Sequence, residues 1–495
     1  MQKVLASRSS RVSRAARVQS CGPGRTHERP HSLHSAATRA ALAVLILISS
    51  CAHLPDTELY MQQGRDARHV PVEGARGLLS AERSAAIIAS LKATGGDVDM
   101  LQKHIAVEEA VVGTPLTAGN NVTLLKNGPA TYDAMFAAMR NAKRNINLES
   151  YIIEDDEVGR RFSDVLLEMQ ARGVQVNVIF DSVGCLKTPK EFFDRLRDGG
   201  IHVVEFNPVN PLAAKRGWLI NNRDHRKLLV VDGRTAFVGG INISSVYSGS
   251  PSSSGSAPSK TPTSPGSSWR DTHIQIDGPA AVEFQKAFLA TWAKQGGPAL
   301  NEKDYVVPVA VKGNNLVRVV PSTPDDPYST IYLTLVSAIS NAEQQVYLTV
   351  AYFAPDPQLL KALLDAARRG VDVRMILPGQ TDSELIFHAG RSHYAELLDA
   401  GVKVYERHGA ILHSKTALID GVWSSVGSTN LDWRSFLHND EINASVVGRE
   451  FAAQMQSMFN DDLAASDPID PQQWPHRSLW LKLKEIGARV WEYWL

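Results

Sequence analysis

An α/β fold made of two tandem copies of one unit is predicted for this chain of 495 residues. Three observations predict it. Short β-branched runs alternate with amphipathic helical segments, the pattern of a sheet covered by helices. The order of runs occurs twice, so that Tyr151, Gly173 and Gly200 answer to Tyr352, Gly370 and Gly401, as an internal duplication requires. One long pattern is also repeated. It is His225-x-Lys227-x4-Asp232, six residues, Gly239-Gly240, one residue and Asn242; its second copy is His413-x-Lys415-x4-Asp420, six residues, Gly427-Ser428, one residue and Asn430.

In the first half, residues 115–300, Tyr132 to Ala142 has helical spacing and a strand begins at Ile146. Gly159 to Arg172 is a helix stopped at Gly173, since glycine readily takes the left-handed conformation that closes a helix. Val174 to Phe180 alternates as a strand ending at Asp181, Pro189 to Asp198 is a helix closed by Gly199-Gly200, and Ile201 to Phe206 is a strand. The second half, residues 301–495, repeats the order. Helix Ile331–Ala342, strand Gln345–Tyr352, helix Pro357–Arg369, strand Val371–Leu377, helix His393–Ala400 and strand Val402–Tyr405 follow one another. His388 is read on a loop, and both it and His393 as surface or structural residues.

Each repeated pattern carries a small chemical kit. Residues two apart on a strand share a face, so His and Lys of each copy reach one pocket. The intervening Leu228 to Val231 and Thr416 to Ile419 suit a buried strand. Gly240 and Ser428, next to Gly239 and Gly427, leave room for a substrate to approach the backbone. Asn242 and Asn430 add amide donors. Two copies facing each other would offer two His, two Lys and two Asn, a set suited to a phosphate: lysines neutralise it and amides bind its oxygens. One neutral His can attack phosphorus while the other protonates the leaving alkoxide. Asp232 and Asp420 are counted with the catalytic set, although their Asp-Gly pairs are also turn signals.

The paired motifs resemble the phospholipase D superfamily, and the flanks resemble its bacterial cardiolipin synthases. Those flanks are Glu149-Ser150-Tyr151, Asp181-Ser182-Val183-Gly184, Tyr352-Phe353-Ala354-Pro355-Asp356, and Gly427 through Asn430-Leu431-Asp432-Trp433-Arg434-Ser435-Phe436. The resemblance implies two α/β/α sandwich repeats sharing one active site, a phosphohistidine intermediate, and no metal or other cofactor. It implies that Asp271 and Glu441, each downstream of a histidine, sit behind the catalytic imidazoles and orient them. The implied reaction makes cardiolipin from two phosphatidylglycerols, or from one and another phospholipid. Hydrolysis to phosphatidic acid by the same residues is the alternative, and phosphodiester cleavage of nucleic acid a more distant one. Lys+Arg 52 balances Asp+Glu 52, so no basic surface argues for a nucleic-acid partner.

The remaining segments bear on location. Residues 1–39 are rich in Arg and Ser, with Glu28 the only acid, and Ala40 to Ile48 is apolar but too short to span a bilayer. Small residues then precede Cys51, so residues 1–51 resemble a bacterial lipoprotein signal in which Cys51 is lipidated. An organellar transit peptide is the rival reading. The anchor would hold the enzyme on a membrane, at the periplasmic side of a bacterial envelope. Residues 52–114 read as a tether, Leu54 to Gly74, and a helical lead-in. From His225 to Asp271 is 46 residues but from His413 to Glu441 only 28, so the first half carries about 18 more. This insert, about 245–268, is Ser/Pro/Gly-rich and reads as a disordered loop near the pocket mouth. The C-terminal Leu479 to Leu495 is an amphipathic helix with three Trp, suited to a lipid interface or to docking on the sheet.

Overall fold

The computed structural model describes residues 54–65, 70–93, 99–210, 212, 218–249 and 268–494. In the first half the strands lie in the order Leu116–Lys126, Thr272–Asp277, Thr235–Gly239, Lys227–Val231, Asn145–Ser150, Gln175–Asp181 and His202–Phe206. In the second the order is Asn315–Ser322, Asn439–Val447, Trp423–Gly427, Lys415–Ile419, Gln345–Val350, Asp372–Pro378 and Lys403–Arg407. The two orders correspond strand for strand, so the duplication read from the sequence is a duplication of the sheet. Asn120 opposite Asn315 and Thr117 opposite Val317 pair the sheets edge to edge.

Matching local signals set matching helices. Asp156 caps Glu157–Ala171 by accepting from the Gly159 amide at 2.9 Å, and Asp356 caps Pro357–Arg368 by accepting from Gln358 at 2.8 Å. Proline at the first turn of the latter has a preset φ and lacks an amide that would be unsatisfied there. Gly173 at φ 88° and Gly370 at φ 92° end these helices in the left-handed region.

Both motif strands, Lys227–Val231 and Lys415–Ile419, are buried throughout. One face of each sheet meets its own outer helices. The other meets a core shared by the two halves, where Ile179, Leu228 and Val230 pack with Val317, Ile376 and Leu418. Helices Ala281–Lys294 and Arg449–Ala464 seal that core with Phe284, Phe288, Phe451 and Phe459. Each such aromatic is worth roughly 3–5 kcal/mol against alanine, so the halves are joined by their interior.

Three expectations change. The stretch Leu54 to Gly74 is not a simple tether: Thr57–Arg65 is helical, the Thr57 amide donates to Gln358 at 3.1 Å, and Val72 pairs in parallel with Leu116. The apolar faces of this lead-in explain it, since Val72, Ile105 and Val107 are buried in the second half's core. His388 lies on a helix, Glu384–Ser392, and His393 is buried against Glu492 at 2.7 Å. Finally, the apolar face of the C-terminal helix Leu479–Arg489 is not its docking face, as developed below. Cys51 and residues 250–267 of the insert lie outside the described residues.

Candidate active site

Each histidine stands just ahead of its motif strand, at a crossing between the halves. Arg223–Asp224 pairs in parallel with Asn439–Asp440, and Trp269–Arg270 with Ile411–Leu412. The His225 amide donates to the Asp440 carbonyl at 2.9 Å, and the His413 amide to the Arg270 carbonyl at 2.8 Å. Each histidine is thus set beside the residue that precedes the other half's buried carboxylate.

The side chains follow the backbone across. His225 Nδ1 lies 2.9 Å from Glu441 Oε1 and 3.1 Å from Oε2, while His413 Nδ1 lies 2.7 Å from Asp271 Oδ2. Along the chain each carboxylate follows the histidine of its own half. In space it holds the histidine of the other half. Burial raises the Glu441 pKa, but His225, Lys227 and a hydrogen bond from Ser428 outweigh it and hold the carboxyl at about 2. Burial lowers His225 to about 4 against the attraction of Glu441. His225 is therefore neutral at pH 7, with Nδ1–H donating to Glu441 and the Nε2 lone pair left over. His413 is also lowered, by burial and then by Lys415, against Asp271.

His225 and His413 line one cavity of about 500 Å³ together with Asn242 and Asn430. The Lys227 ammonium lies 5.1 Å from the Tyr151 ring centroid and that of Lys415 6.0 Å from the Tyr352 ring. Burial, helped by repulsion from Lys415, lowers Lys227 to about 7 against the attraction of Glu441; burial lowers Lys415 to about 8 against that of Asp271 and Glu441. An anion placed between them would reverse both shifts. The structure thus brings together His225, Lys227, Asn242, Asp271, His413, Lys415, Asn430 and Glu441.

Four residues read from the sequence stand elsewhere or do other work. Asp232 and Asp420 sit at the far ends of the motif strands, at φ 55° and 50° in Asp-Gly turns. Asp232 accepts the amides of Lys143, Arg144 and Asn145 at 2.9, 2.7 and 3.0 Å; Asp420 accepts those of Glu343, Gln344 and Gln345 at 2.9, 2.8 and 2.9 Å. They tie each turn to the start of the neighbouring strand, away from the cavity. Gly240 makes room for a carboxylate, not a substrate, because a Cβ there would stand 2.2 Å from Asp271 Oδ1. Ser428 donates its hydroxyl to Glu441 Oε2 and supports that carboxylate from behind.

The sequence reading missed Tyr247 and Trp269 as site residues. The Tyr247 hydroxyl is 3.3 Å from His413 Nδ1, and the Trp269 ring is 5.1 Å from the His413 ring. They stand on the two stems of the Ser/Pro-rich insert, and their aromatic character beside a low-complexity stretch was the available signal. Arg223, Arg434 and Asp382 also line the cavity.

A family model for the cardiolipin synthase, PLD-like domain matches residues 135–247 and 335–463. A cardiolipin synthase of Geobacillus sp. (strain WCH70) is 34% identical over 380 residues, 76% of this chain and 73% of its own. Cardiolipin synthase A of Pseudomonas fluorescens (strain SBW25) is 37% identical over 383 residues, 76% of this chain and 74% of its own.

The chain belongs to the cardiolipin synthase family.

The two segments matching the cardiolipin synthase model contain His225 and Lys227 in one, and His413, Lys415 and Glu441 in the other; Asp271 lies between them. A solved phosphatidylserine synthase from Haemophilus influenzae Rd KW20 shares the fold, with a TM-score of 0.58 at 13% identity, covering 79% of this chain and 100% of that one. This member of the cardiolipin synthase family is thus a phospholipase D-type enzyme of phospholipid synthesis.

Proposed function

We propose that the enzyme joins two phosphatidylglycerols into cardiolipin and glycerol through a phosphohistidine. The observation that carries this reading is the pair of histidines on one cavity, each with Nδ1 held by a buried carboxylate of the other half. His225 Nε2 attacks the phosphorus of the first lipid, forming a P–N bond while the P–O bond to glycerol breaks. His413 Nε2–H gives its proton to the departing glycerol oxygen. The headgroup hydroxyl of the second lipid returns a proton to His413 Nε2 and attacks phosphorus, the P–N bond breaks, and cardiolipin leaves. Lys227 and Lys415 neutralise the phosphoryl oxygens, and Asn242 and Asn430 hydrogen-bond them. Neutral His225 suits the nucleophile. The negative phosphate raises His413 from its lowered value and so loads the acid.

The test is product analysis by mass spectrometry on phosphatidylglycerol vesicles, with and without phosphatidylethanolamine. Cardiolipin with free glycerol, lost in His225→Ala, is the expected result. Phosphatidic acid alone would replace transfer by hydrolysis. We also propose that acylated Cys51 anchors the enzyme on the periplasmic side of a bacterial envelope. Metabolic labelling with a radioactive fatty acid should mark the wild-type chain and not Cys51→Ala; equal labelling refutes the anchor.

A further inference from the structure

The C-terminal segment carries its amphipathic pattern reversed. In the helix Leu479–Arg489 and the turn Glu492–Trp494, the buried residues are Glu485, Ala488 and Glu492. Glu485 accepts from Arg477 Nε at 3.1 Å, and Glu492 pairs with His393 Nε2 at 2.7 Å. The apolar side chains are the exposed ones: Leu479 77%, Trp480 66%, Leu483 61%, Ile486 63% and Val490 74%. At helical spacing these form one face, opposite Glu485 and Ala488. A helix that turns its acids inward and leaves a Trp-bearing apolar face outward lacks an apolar neighbour.

We infer that this neighbour is a phospholipid surface, on which the helix lies and sets the cavity mouth. The inference rests on the phospholipid reading above. Three features select a lipid. Eleven residues span about 16 Å, so the face covers a few hundred Å², well below the roughly 800 Å² per partner of a stable protein interface. Its acids are turned inward, so the cations beside the apolar face are Lys482 and Lys484, with the Lys484 ammonium 5.9 Å from the Trp480 ring, while Arg489 is paired with Glu396 at 2.9 Å. Basic stems beside aromatic and aliphatic side chains fit an anionic headgroup layer. The face is also continuous with the cavity. Trp494 lines the cavity, and the helix packs along Glu384–Ser392, whose Ile386 lines it too and whose Leu385 is 43% exposed.

The test uses the full chain on phosphatidylglycerol vesicles containing phosphatidylcholine brominated on its acyl chains, which quenches only tryptophans seated in lipid. Tryptophan emission should fall on binding, and most of the fall should vanish in Trp480→Phe/Trp491→Phe. Leu483→Glu/Ile486→Glu should lower turnover on vesicles about tenfold and leave turnover on dispersed short-chain phosphatidylglycerol unchanged. Undiminished quenching in the tryptophan variant, or wild-type vesicle turnover in the glutamate variant, overturns the inference. So does a wild-type dimer that the glutamate variant splits in sedimentation, because a second copy then covers the face. The substituted side chains are all exposed, Trp491 at 57%, and circular dichroism checks that the variants fold. Quenching needs no turnover, so a chain that is quenched yet inactive on every phospholipid keeps the helix assignment and removes the transferase reading alone.

Discussion

His225 and His413 have the same chain context and different surroundings. Among the described residues His225 Nδ1 meets only Glu441, whereas His413 Nδ1 is shared between Asp271 at 2.7 Å and the Tyr247 hydroxyl at 3.3 Å. Alanine at either position should cut turnover roughly 10³-fold or more, because each histidine serves in both half-reactions; a near-wild-type rate in either variant, measured as glycerol release, ends the two-histidine scheme. Glu441→Gln and Asp271→Asn keep the shape but lose the charge that fixes the imidazole tautomer. They should lower kcat by roughly 10²–10⁴-fold with little change in KM. The lysines make a separate pH prediction. Lys227 at about 7 and Lys415 at about 8 lose their protons as pH rises through that window, so an anionic phosphate binds less well. The kcat/KM should therefore fall on the alkaline side, first as His413, held below the usual histidine range, loses the proton it must donate, and further through pH 7 to 8 as the lysines deprotonate; it should also fall below about pH 4 as His225 gains a proton. Saturating substrate raises the lysine pKa values, so kcat should fall later on the alkaline side than kcat/KM.

At the scale of elements, the turns and the crossing strands do the positioning. Asp232→Ala removes the acceptor of three backbone amides and touches nothing in the cavity. It should lower stability by about 1–3 kcal/mol in denaturant unfolding, while the folded fraction keeps its kcat; a thousandfold loss of kcat in well-folded protein would return Asp232 to the chemistry. Beneath His413, buried Arg270 donates to Asp462 at 2.7 and 2.6 Å, and Arg407 reaches the same carboxylate at 3.2 Å. Asp462→Ala strands two buried guanidiniums and should cost about 3–5 kcal/mol. It should also displace the strand whose Arg270 carbonyl receives the His413 amide, so activity should fall even below the unfolding midpoint.

For the whole molecule, the crossed carboxylates make the site a property of both halves at once. A single chain contains every residue of the cavity, so mixing His225→Ala and His413→Ala chains should restore no activity; recovery toward a quarter to a half of wild type would show that sites are shared between chains. Among the described residues no helix is long and apolar enough to cross a membrane. The exposed apolar face beside the cavity is the feature through which the folded part is proposed to meet lipid.

What the sequence determined by itself is what depends on local order and repetition. The period of apolar residues, the stops at Gly173 and Gly370, and two His-x-Lys patterns specify a duplicated α/β unit with a set of side chains suited to a phosphate. These signals act within a few residues and survive in a string of letters. The tertiary structure decided what depends on which surfaces meet. It crossed Glu441 to His225 and Asp271 to His413, because short strands from the two halves pair in parallel. It set Asp232 and Asp420 at the turns beyond the motif strands, away from the cavity, because a five-residue strand separates its two ends. It filled the space beside Gly240 with a carboxylate and brought Tyr247 and Trp269 against a histidine more than a hundred residues away. It also turned the C-terminal helix over. An amphipathic pattern states that two faces differ, but which one is buried depends on the partner, and here Arg391, His393 and Arg477 hold the acidic face inward.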